Sequence, residues 1–329
     1  MIKYAKIIGT GSSVPEQVLT NADLEKMVDT TDEWIVSRSG IKERRIAPPE
    51  MASSDYAYGA ALKALEMANL TPKDIDLIIV GTVTPDAPLP STACLLQHKL
   101  GASNAGVVDI VAACSGFIYG LSFARALIGI GQLKNVLVIG VETLSRLTNW
   151  KDRNTCVLFG DGAGAAVVAA SDEPGGIVET FLKGDGSLSH LLEIPVGAGR
   201  FPITPENVNN GDRYIKMEGQ EVFKSAVVAM CEAATKILEL TNTTSKDISL
   251  MIPHQANIRI IEATAKRIKL PMDKVFVNIQ KYGNTSAASI PIALDEAVRE
   301  GRIKRNDKII LVAFGAGFTW GSALIDWNI

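Results

Sequence analysis

The chain has 329 residues, of which 47% are hydrophobic and 21% charged, enough apolar material for one large α/β unit or two domains. Its net charge of −3 and pI near 5.8 argue against a nucleic-acid binder, which usually carries a basic excess. Three histidines and four well-separated cysteines leave no metal-ligand spacing, so we expect no metal site.

The N-terminal residues and the hydropathy of the chain disfavour two further classes. Residues 1–6 open directly into a strand-like run without a signal-peptide profile. No uncharged apolar stretch approaches the length of a membrane span. We therefore expect a soluble cytoplasmic protein with reduced thiols that contacts neither nucleic acid nor membrane.

Apolar runs alternate with helix-patterned segments, which predicts an α/β fold with largely buried strands. The predicted strands are 75–83, 106–112, 135–141, 165–170, 248–253, 274–279 and 308–314. The predicted helices are 54–68, 91–100, 117–130, 218–240, 258–268 and 286–300. The polar, glycine- and proline-rich stretch 184–213 predicts a loop.

The two halves of the chain have the same order of elements. A strand near 81 and another ending at 253 are each followed by a helix and a second strand, which leads to Cys114 and to Asn284. This predicts duplicated βαβαβ halves, 1–171 and 172–329, with a ligand site where the strand ends meet.

Cys114 lies where an apolar strand gives way to a helix, in VDIVAACSGF at 108–117. A thiol at this turn faces the positive end of the helix dipole, which favours thiolate and hence a nucleophile. The alternative is a buried cysteine that acts as a small hydrophobe.

Three further motifs follow predicted strands. His254 in HQAN at 254–257 either faces a crevice or is a hydrogen-bonded structural histidine, and Asn284 is either functional or an ordinary helix N-cap. The turn AFGAGFTWG at 313–321 either aims backbone N–H groups at an oxyanion or permits tight packing. GDGAG at 160–164 lacks the residues of a phosphate loop, so there we expect tight packing.

Together these motifs closely resemble the β-ketoacyl-acyl-carrier-protein synthase III family of thiolase-like condensing enzymes. The resemblance runs the whole length of the chain, through DEWI at 32–35, GIKERR at 40–45, FGDGAGA at 159–165, HQAN at 254–257, GNTS at 283–286 and GFTWG at 317–321. It implies a layered α-β-α-β-α sandwich of two thiolase-like halves and a homodimer.

The resemblance also implies an acyltransferase that starts fatty-acid synthesis without a cofactor. An acyl group moves from coenzyme A to Cys114, and malonyl-acyl-carrier protein then loses carbon dioxide and attacks the acyl thioester. His254 and Asn284 would donate hydrogen bonds to the malonyl oxygen during decarboxylation. The backbone N–H groups of Cys114 and Ala316 would form a second oxyanion hole, although the family usually has glycine where Ala316 stands.

Binding residues follow from the same resemblance. The coenzyme A contacts would be Trp34, Arg38, Arg153 and Asn257, with indole stacking on adenine and guanidinium groups pairing with phosphates. The residues facing the acidic carrier protein would be Arg259, Lys266 and Arg267, unless these form only a solvated helix face. Leu89 and Phe314 would line the acyl pocket, Leu89 standing where relatives often carry an aromatic ring that reaches across the dimer.

Other classes of protein share parts of these motifs. A degradative thiolase needs a second cysteine in the C-terminal glycine turn, and elongating condensing enzymes carry a second histidine where Asn284 stands. A papain-like protease needs a different cysteine setting. A related Cys-His-Asn condensing enzyme of a specialised polyketide-type pathway, or a coenzyme A-binding homologue without catalysis, would keep the fold.

Overall fold

The computed structural model of the chain describes residues 3–329, so Met1 and Ile2 of the predicted N-terminal run lie outside the described residues. The strands are β1 (Tyr4–Ser13), β2 (Val18–Thr20), β3 (Glu43–Arg45), β4 (Leu77–Gly81), β5 (Gly106–Ile110), β6 (Asn135–Thr143), β7 (Asp161–Ser171), β8 (Gly176–Gly184), β9 (Leu192–Glu193), β10 (Lys216–Met217), β11 (Leu250–Pro253), β12 (Lys308–Gly315) and β13 (Thr319–Asp326).

The α-helices are α1 (Asn21–Leu24), α2 (Asp32–Ser39), α3 (Ser53–Ala68), α4 (Thr92–Leu100), α5 (Gly116–Gly129), α6 (Gly219–Leu240), α7 (Ile258–Arg267), α8 (Ile279–Tyr282) and α9 (Ser289–Arg299). Short 3₁₀ helices span Pro72–Asp74, Ala113–Ser115, Leu144–Arg146, Gly186–Leu191, Met272–Lys274 and Ser286–Ala288.

Two mixed sheets stack in the five-layer arrangement that the sequence predicts. The first has the strand order β1-β7-β6-β4-β5 and the second β11-β12-β13-β8. Helices α3 and α4 cover the outer face of the first sheet, and α6 lies on the outer face of the second with α7 beside it. Helices α5 and α9 fill the layer between the sheets, where the central apolar cluster lies.

The strand orders confirm the duplication. Strands β1, β7, β6 and β4 of the first sheet correspond in position to β8, β13, β12 and β11 of the second. The first sheet draws its strands from residues 4–171 and the second from residues 176–326. We infer that the halves are divided between β7 and β8, in line with the expected boundary after residue 171.

The structure corrects several predicted elements. The strand predicted at 274–279 is wrong, because Val275 makes only an isolated bridge to Met251 and Met272–Lys274 is a 3₁₀ helix. The predicted loop 184–213 contains the 3₁₀ helix Gly186–Leu191 and β9. Strands β8 and β13 were not among the predicted elements, although β13 pairs with both β8 and β12.

Strand β6 shows how the layers orient side chains toward the site. Leu137, Ile139 and Val141 belong to the apolar cluster under α3, while Val136 and Val138 belong to the central cluster. Since side chains alternate between the two faces of a strand, the even-numbered positions that follow face the central layer.

Glycines let backbone segments meet inside this layer. A Cβ added to Gly140 of β6 would collide with the carbonyl oxygen of Ala287, and one on Gly164 would lie 2.5 Å from the backbone nitrogen of Ile292. A Cβ on Gly160 would collide with the Tyr282 carbonyl oxygen. These contacts confirm that GDGAG at 160–164 serves tight packing.

From residue 3 to the C-terminus, the structure contains no helix that combines the length and apolarity needed to cross a membrane.

Substituting Gly140 by alanine should destabilise the protein, because the new methyl group meets backbone atoms that cannot rotate away. We expect Gly140→Ala to lower the free energy of unfolding by about 3 kcal/mol, the upper range for overpacking a core. Denaturant unfolding of both proteins measures the change. The control is Gly186→Ala, whose added Cβ would have no neighbour within 4 Å. Equal stability of the Gly140 and Gly186 variants would contradict the packing argument.

Candidate active site

Cys114 lies in the short 3₁₀ helix Ala113–Ser115, two residues before the first residue of α5. The turn is held by the C-terminal half: Ser115 Oγ donates to the Thr319 carbonyl at 3.1 Å, and Thr319 Oγ1 donates to the Ala112 carbonyl at 2.8 Å. Ala113 has a φ of 44°, a left-handed conformation that bends the chain sharply before the helix. The thiol is therefore at the helix N-terminus, as the sequence predicts.

The acidity of this thiol differs from the expectation. Burial raises the pKa of Cys114 to about 12, and the negative charge of Glu142 adds to the rise. The helix dipole acts in the opposite direction but is worth at most about 2 kcal/mol. A protonated thiol is therefore the resting form, and its activation requires a group that accepts the proton.

His254 follows β11 and is only 3% exposed. Its backbone N–H donates to the Val312 carbonyl at 2.8 Å, and its Nδ1 lies 2.7 Å from Ser289 Oγ. Burial lowers the pKa of His254 to about 3, so the imidazole is neutral at physiological pH.

Asn284 is fixed by hydrogen bonds that leave its side-chain NH₂ without an acceptor among residues 3–329. Its Oδ1 accepts from the backbone N–H of Ser286 at 2.8 Å, and its own N–H donates to the Leu158 carbonyl at 2.8 Å. It caps no α-helix, since α9 begins five residues later, at Ser289. The N-cap residues of the 3₁₀ helix Ser286–Ala288 and of α9 are Thr285 and Ala288, although Asn284 Oδ1 does accept the first N–H of that 3₁₀ helix.

The C-terminal glycine turn passes directly beside the nucleophile turn. A Cβ on Gly315 would lie 2.5 Å from the Cys114 backbone nitrogen, so only glycine fits there. Ala316 lines the same cavity as Cys114, and its φ is not in the left-handed region. Alanine in place of the usual family glycine therefore introduces no backbone strain at Ala316.

Two cavities meet at Cys114. The first, of about 140 Å³, brings together Cys114, His254 and Asn284 with Asn257 and Phe314. The second, of about 210 Å³, has an almost wholly apolar lining that includes Val83, Leu144, Phe159, Ile194 and Ile215. We call these the catalytic cavity and the acyl cavity.

The two expected acyl-pocket residues do not line the acyl cavity of their own chain. Phe314 lines the catalytic cavity rather than the acyl cavity. Leu89 is 86% exposed and lines neither cavity of its own chain. The apolar residues around the acyl cavity were missed because Ile194 and Ile215 come from irregular segments that carry no periodic signal.

The four expected coenzyme A contacts form one connected group. The guanidinium carbons of Arg38 and Arg153 lie 4.6 and 5.2 Å from the Trp34 ring centroid. Asn257 donates from its side-chain NH₂ to the Arg38 carbonyl at 2.8 Å and also lines the catalytic cavity. The group therefore leads from two exposed arginines and a half-buried indole to the cavity that contains the thiol.

The three expected carrier-protein residues lie on α7 and are all exposed. Arg259 packs its guanidinium 5.0 Å from the Phe223 ring centroid, near the catalytic cavity that Phe223 lines. Lys266 stands two turns along the same helix face, whereas Arg267 is turned toward α6 and lines a groove there. Two of the three cations thus share one surface.

Three polar side chains near the thiol were not singled out from the sequence. Ser286 and Ser289 lie in the serine- and alanine-rich segment that follows Asn284. Glu142 is fully buried at the end of an otherwise apolar strand run, and an acidic residue in such a run is the signal that could have revealed it. Across residues 3–329, no group of three or more His, Cys, Asp or Glu side chains is placed to hold a metal.

Comparison with known proteins identifies the family. Two family models match, described as 3-oxoacyl-[acyl-carrier-protein] synthase III over residues 108–186 and as its C-terminal part over residues 238–327. A β-ketoacyl-[acyl-carrier-protein] synthase III of Caldanaerobacter subterraneus subsp. tengcongensis is 58% identical over 324 residues, covering 98% of each chain.

Solved structures agree with the sequence comparison and confirm the thiolase-like fold. The 3-oxoacyl-[acyl-carrier-protein] synthase III of Aquifex aeolicus VF5 has 53% identity and a TM-score of 0.91, covering 98% of this chain and 100% of that one. The priming β-ketosynthase of the R1128 polyketide pathway has 34% identity and a TM-score of 0.92, covering 99% of this chain and 97% of that one. The chain therefore belongs to the β-ketoacyl-[acyl-carrier-protein] synthase III family of condensing acyltransferases.

Proposed function

We propose that the chain initiates fatty-acid synthesis by condensing an acyl-coenzyme A with malonyl-acyl-carrier protein through an acyl-Cys114 intermediate. The observation that carries this proposal is the meeting of Cys114, His254 and Asn284 in one cavity, beside a second cavity of acyl size. The products are a 3-oxoacyl-carrier protein, carbon dioxide and free coenzyme A.

The protonation of His254 follows from its partner. Ser289 Oγ accepts the Gln255 backbone N–H at 3.3 Å and lies 2.7 Å from His254 Nδ1. Among residues 3–329, Nδ1 is the only acceptor bonded to Ser289 Oγ, so we infer that the hydroxyl donates to Nδ1 and that Nε2 carries the ring proton. A neutral Nε2–H donor suits an oxygen on which negative charge develops.

Asn284 supplies the second donor. With its Oδ1 occupied by the Ser286 N–H, its NH₂ group is oriented by the fold. The two neutral donors stabilise the enolate oxygen when the malonyl carboxylate leaves as carbon dioxide. The enolate carbon then attacks the acyl-Cys114 carbonyl, whose oxyanion is held by the Cys114 and Ala316 backbone N–H groups.

The substrate contacts follow the exposed surface that leads to the cavity. Trp34, Arg38 and Arg153 hold the adenine and phosphate end of coenzyme A, and Asn257 contacts the pantetheine arm. Arg259 and Lys266, with Arg267 beside them, attract the acidic carrier protein, whose phosphopantetheine arm enters by the same opening. Both thioesters are substrates, and the chemistry needs no further cofactor. The four free thiols fit a reducing cytoplasm.

A homodimer fits the edge of the first sheet. Strand β5 is an edge strand that pairs only with β4 among residues 3–329. The exposed fractions of Val108, Val111 and Leu89 are 39%, 81% and 86%, an unusual apolar exposure around one edge. Pairing of two β5 strands would cover this edge and carry Leu89 toward the acyl cavity of the second subunit.

The alternative is priming of a specialised polyketide pathway. The R1128 priming β-ketosynthase shares the fold at 34% identity, whereas the β-ketoacyl-[acyl-carrier-protein] synthase III of Caldanaerobacter subterraneus reaches 58%. The difference in identity favours fatty-acid initiation.

His254 is expected to stay neutral in the folded protein between about pH 5 and 8, because its folded pKa lies below that range. Nitrogen-15 NMR of the imidazole should show the Nε2–H tautomer throughout. The exposed His98 and His190 supply reference signals within the same sample. Ser289→Ala should populate the Nδ1–H tautomer and Ser289→Thr should not. Protonation of His254 near its ordinary pKa of 6.5 would refute the assignment.

Loss of either neutral donor should separate the two half-reactions. We expect His254→Ala and Asn284→Ala to keep most of the acyl transfer from acetyl-coenzyme A but to lose about 100-fold or more in malonyl decarboxylation. Radiolabelled carbon dioxide release and acyl-enzyme formation measure the halves separately. Equal losses of both half-reactions in Asn284→Ala would contradict this division of roles.

The acyl preference tests the position of Leu89. If Leu89 closes the partner's acyl cavity, an aliphatic side chain there admits starters longer or more branched than acetyl. The preference between starters is graded, because one methylene in a hydrophobic pocket changes the transition-state free energy by about 1–3 kcal/mol. We expect Leu89→Phe to lower kcat/KM for butyryl- and isobutyryl-coenzyme A relative to acetyl-coenzyme A. Val228→Phe, at an exposed position on α6 outside this edge, is the control. An unchanged ratio in Leu89→Phe would show that Leu89 does not limit the cavity.

A further inference from the structure

Glu142 is a buried carboxyl that the condensation described above does not use. It has no exposed surface and is the eighth of nine residues in β6. It follows Gly140 by two positions and therefore faces the central layer, where Gly140 packs against Ala287. This places its carboxyl beside the Ser286–Ala288 turn and the thiol of Cys114.

The surroundings of Glu142 are hydroxyl groups rather than cations. Thr84 Oγ1 donates to Oε2 at 2.6 Å, Thr82 Oγ1 at 3.3 Å, and the Val83 backbone N–H at 3.1 Å. Across the strand pairing, Asp161 is directed away to Ser145 Oγ at 2.5 Å. Thus no ion pair explains why a carboxyl is kept here.

Ser286 lies between the carboxyl and the thiol. Its Oγ is buried and makes no aligned hydrogen bond with any partner among the described residues. Yet Ser286 lines the acyl cavity together with Cys114, and its turn packs against β6, the strand that carries Glu142. The Ser286 hydroxyl lowers the pKa of both Cys114 and Glu142. The Ser286 hydroxyl is thus close to both the thiol and the carboxyl and makes an aligned hydrogen bond with neither.

We propose that Glu142 is the proton acceptor for the Cys114 thiol, acting through the Ser286 hydroxyl, so that the carboxyl and the thiol share one negative charge before acylation and Glu142 holds the proton while Cys114 is acylated. The inference rests on the proposed function of Cys114 as the acyl carrier. Because Glu142 acts through Ser286, it is a positioning residue for the proton and Cys114 remains the nucleophile.

The proton and electron pairs balance over one turnover. The S–H bond of Cys114 breaks, its proton passes to Ser286 Oγ, and the Ser286 proton passes to the Glu142 carboxylate. The thiolate attacks the acyl carbonyl, and coenzyme A leaves as a thiolate that takes a proton from solvent. When the enolate attacks acyl-Cys114, the C–S bond breaks with its electrons on sulfur, and Glu142 returns the stored proton to the thiolate through Ser286.

The electrostatics support this exchange. Burial raises the pKa of Glu142 to about 7, so the carboxyl can gain or lose a proton under physiological conditions. The charge of ionised Glu142 raises the pKa of Cys114, and that opposition disappears once the carboxyl takes the proton. Two neighbouring anions in a buried site oppose each other, so removing one proton from the pair leaves a single charge to be shared.

The test is the pH profile of Cys114 alkylation by iodoacetamide, followed on the peptide that carries Cys114. The logarithm of the rate should rise, level off near neutral pH and rise again, because a shared proton gives the pair two ionisations. Glu142→Gln should remove the lower ionisation and the level region, leaving a single rise. A single ionisation in the wild-type protein would overturn the proposal, whether or not the variant folds.

Thr84→Val is the matched control for a purely structural role of Glu142. It removes the 2.6 Å hydrogen bond to the carboxyl but keeps the carboxyl itself. Since that hydrogen bond lowers the pKa of Glu142, its loss should move the lower ionisation to higher pH and keep both ionisations. A single ionisation in Thr84→Val would indicate that Glu142 only anchors the Thr82–Thr84 segment, and would overturn proton sharing. Failure of acetyl-coenzyme A to acylate Cys114, by contrast, would count against the proposed function.

Discussion

The direct contact of backbone with backbone between the two halves is the constraint on which the site depends. The Ala287 carbonyl packs against the α-carbon of Gly140. Gly315 lies so close to the Cys114 backbone nitrogen that no side chain fits there. These approaches draw the end of β6, the turn before α5 and the turn before α9 into one layer. Cys114 precedes α5 and Asn284 precedes α9, the two helices of the central layer, and both meet His254 because the halves are pressed together in this way.

Burial then determines the protonation states of the groups in the site. The same desolvation raises the pKa of Cys114, raises that of Glu142 and lowers that of His254, so each group is pushed toward its neutral form. A neutral histidine is the donor that decarboxylation needs. A neutral thiol is not the nucleophile that acyl transfer needs, and a nearby carboxyl with a pKa near 7 resolves that conflict. Burial thus favours decarboxylation by keeping His254 neutral. It also makes acyl transfer depend on a group that accepts the Cys114 proton.

Most of the fold and the catalytic group could be predicted from the sequence, because these depend on local patterns. The apolar run before Cys114 and the Pro253–His254 strand end were sufficient to place two side chains at strand termini. Long-range geometry was not predictable in the same way. Val275 makes only a bridge where a strand was expected, and Phe314 lines the catalytic cavity rather than the acyl cavity. Ser286 and Glu142 lie far apart in the chain and become neighbours only through the contact at Gly140.

The central claim is that Cys114 carries the acyl group, and peptide mass spectrometry after incubation with acetyl-coenzyme A tests it most directly. The account predicts one acetyl group on the peptide containing Cys114, its disappearance in Cys114→Ala, and its discharge when malonyl-acyl-carrier protein is added. Cys94, Cys156 and Cys231 supply three internal controls, since all are free thiols in the same chain. An acetyl group on one of these cysteines, with none on Cys114, would contradict the account.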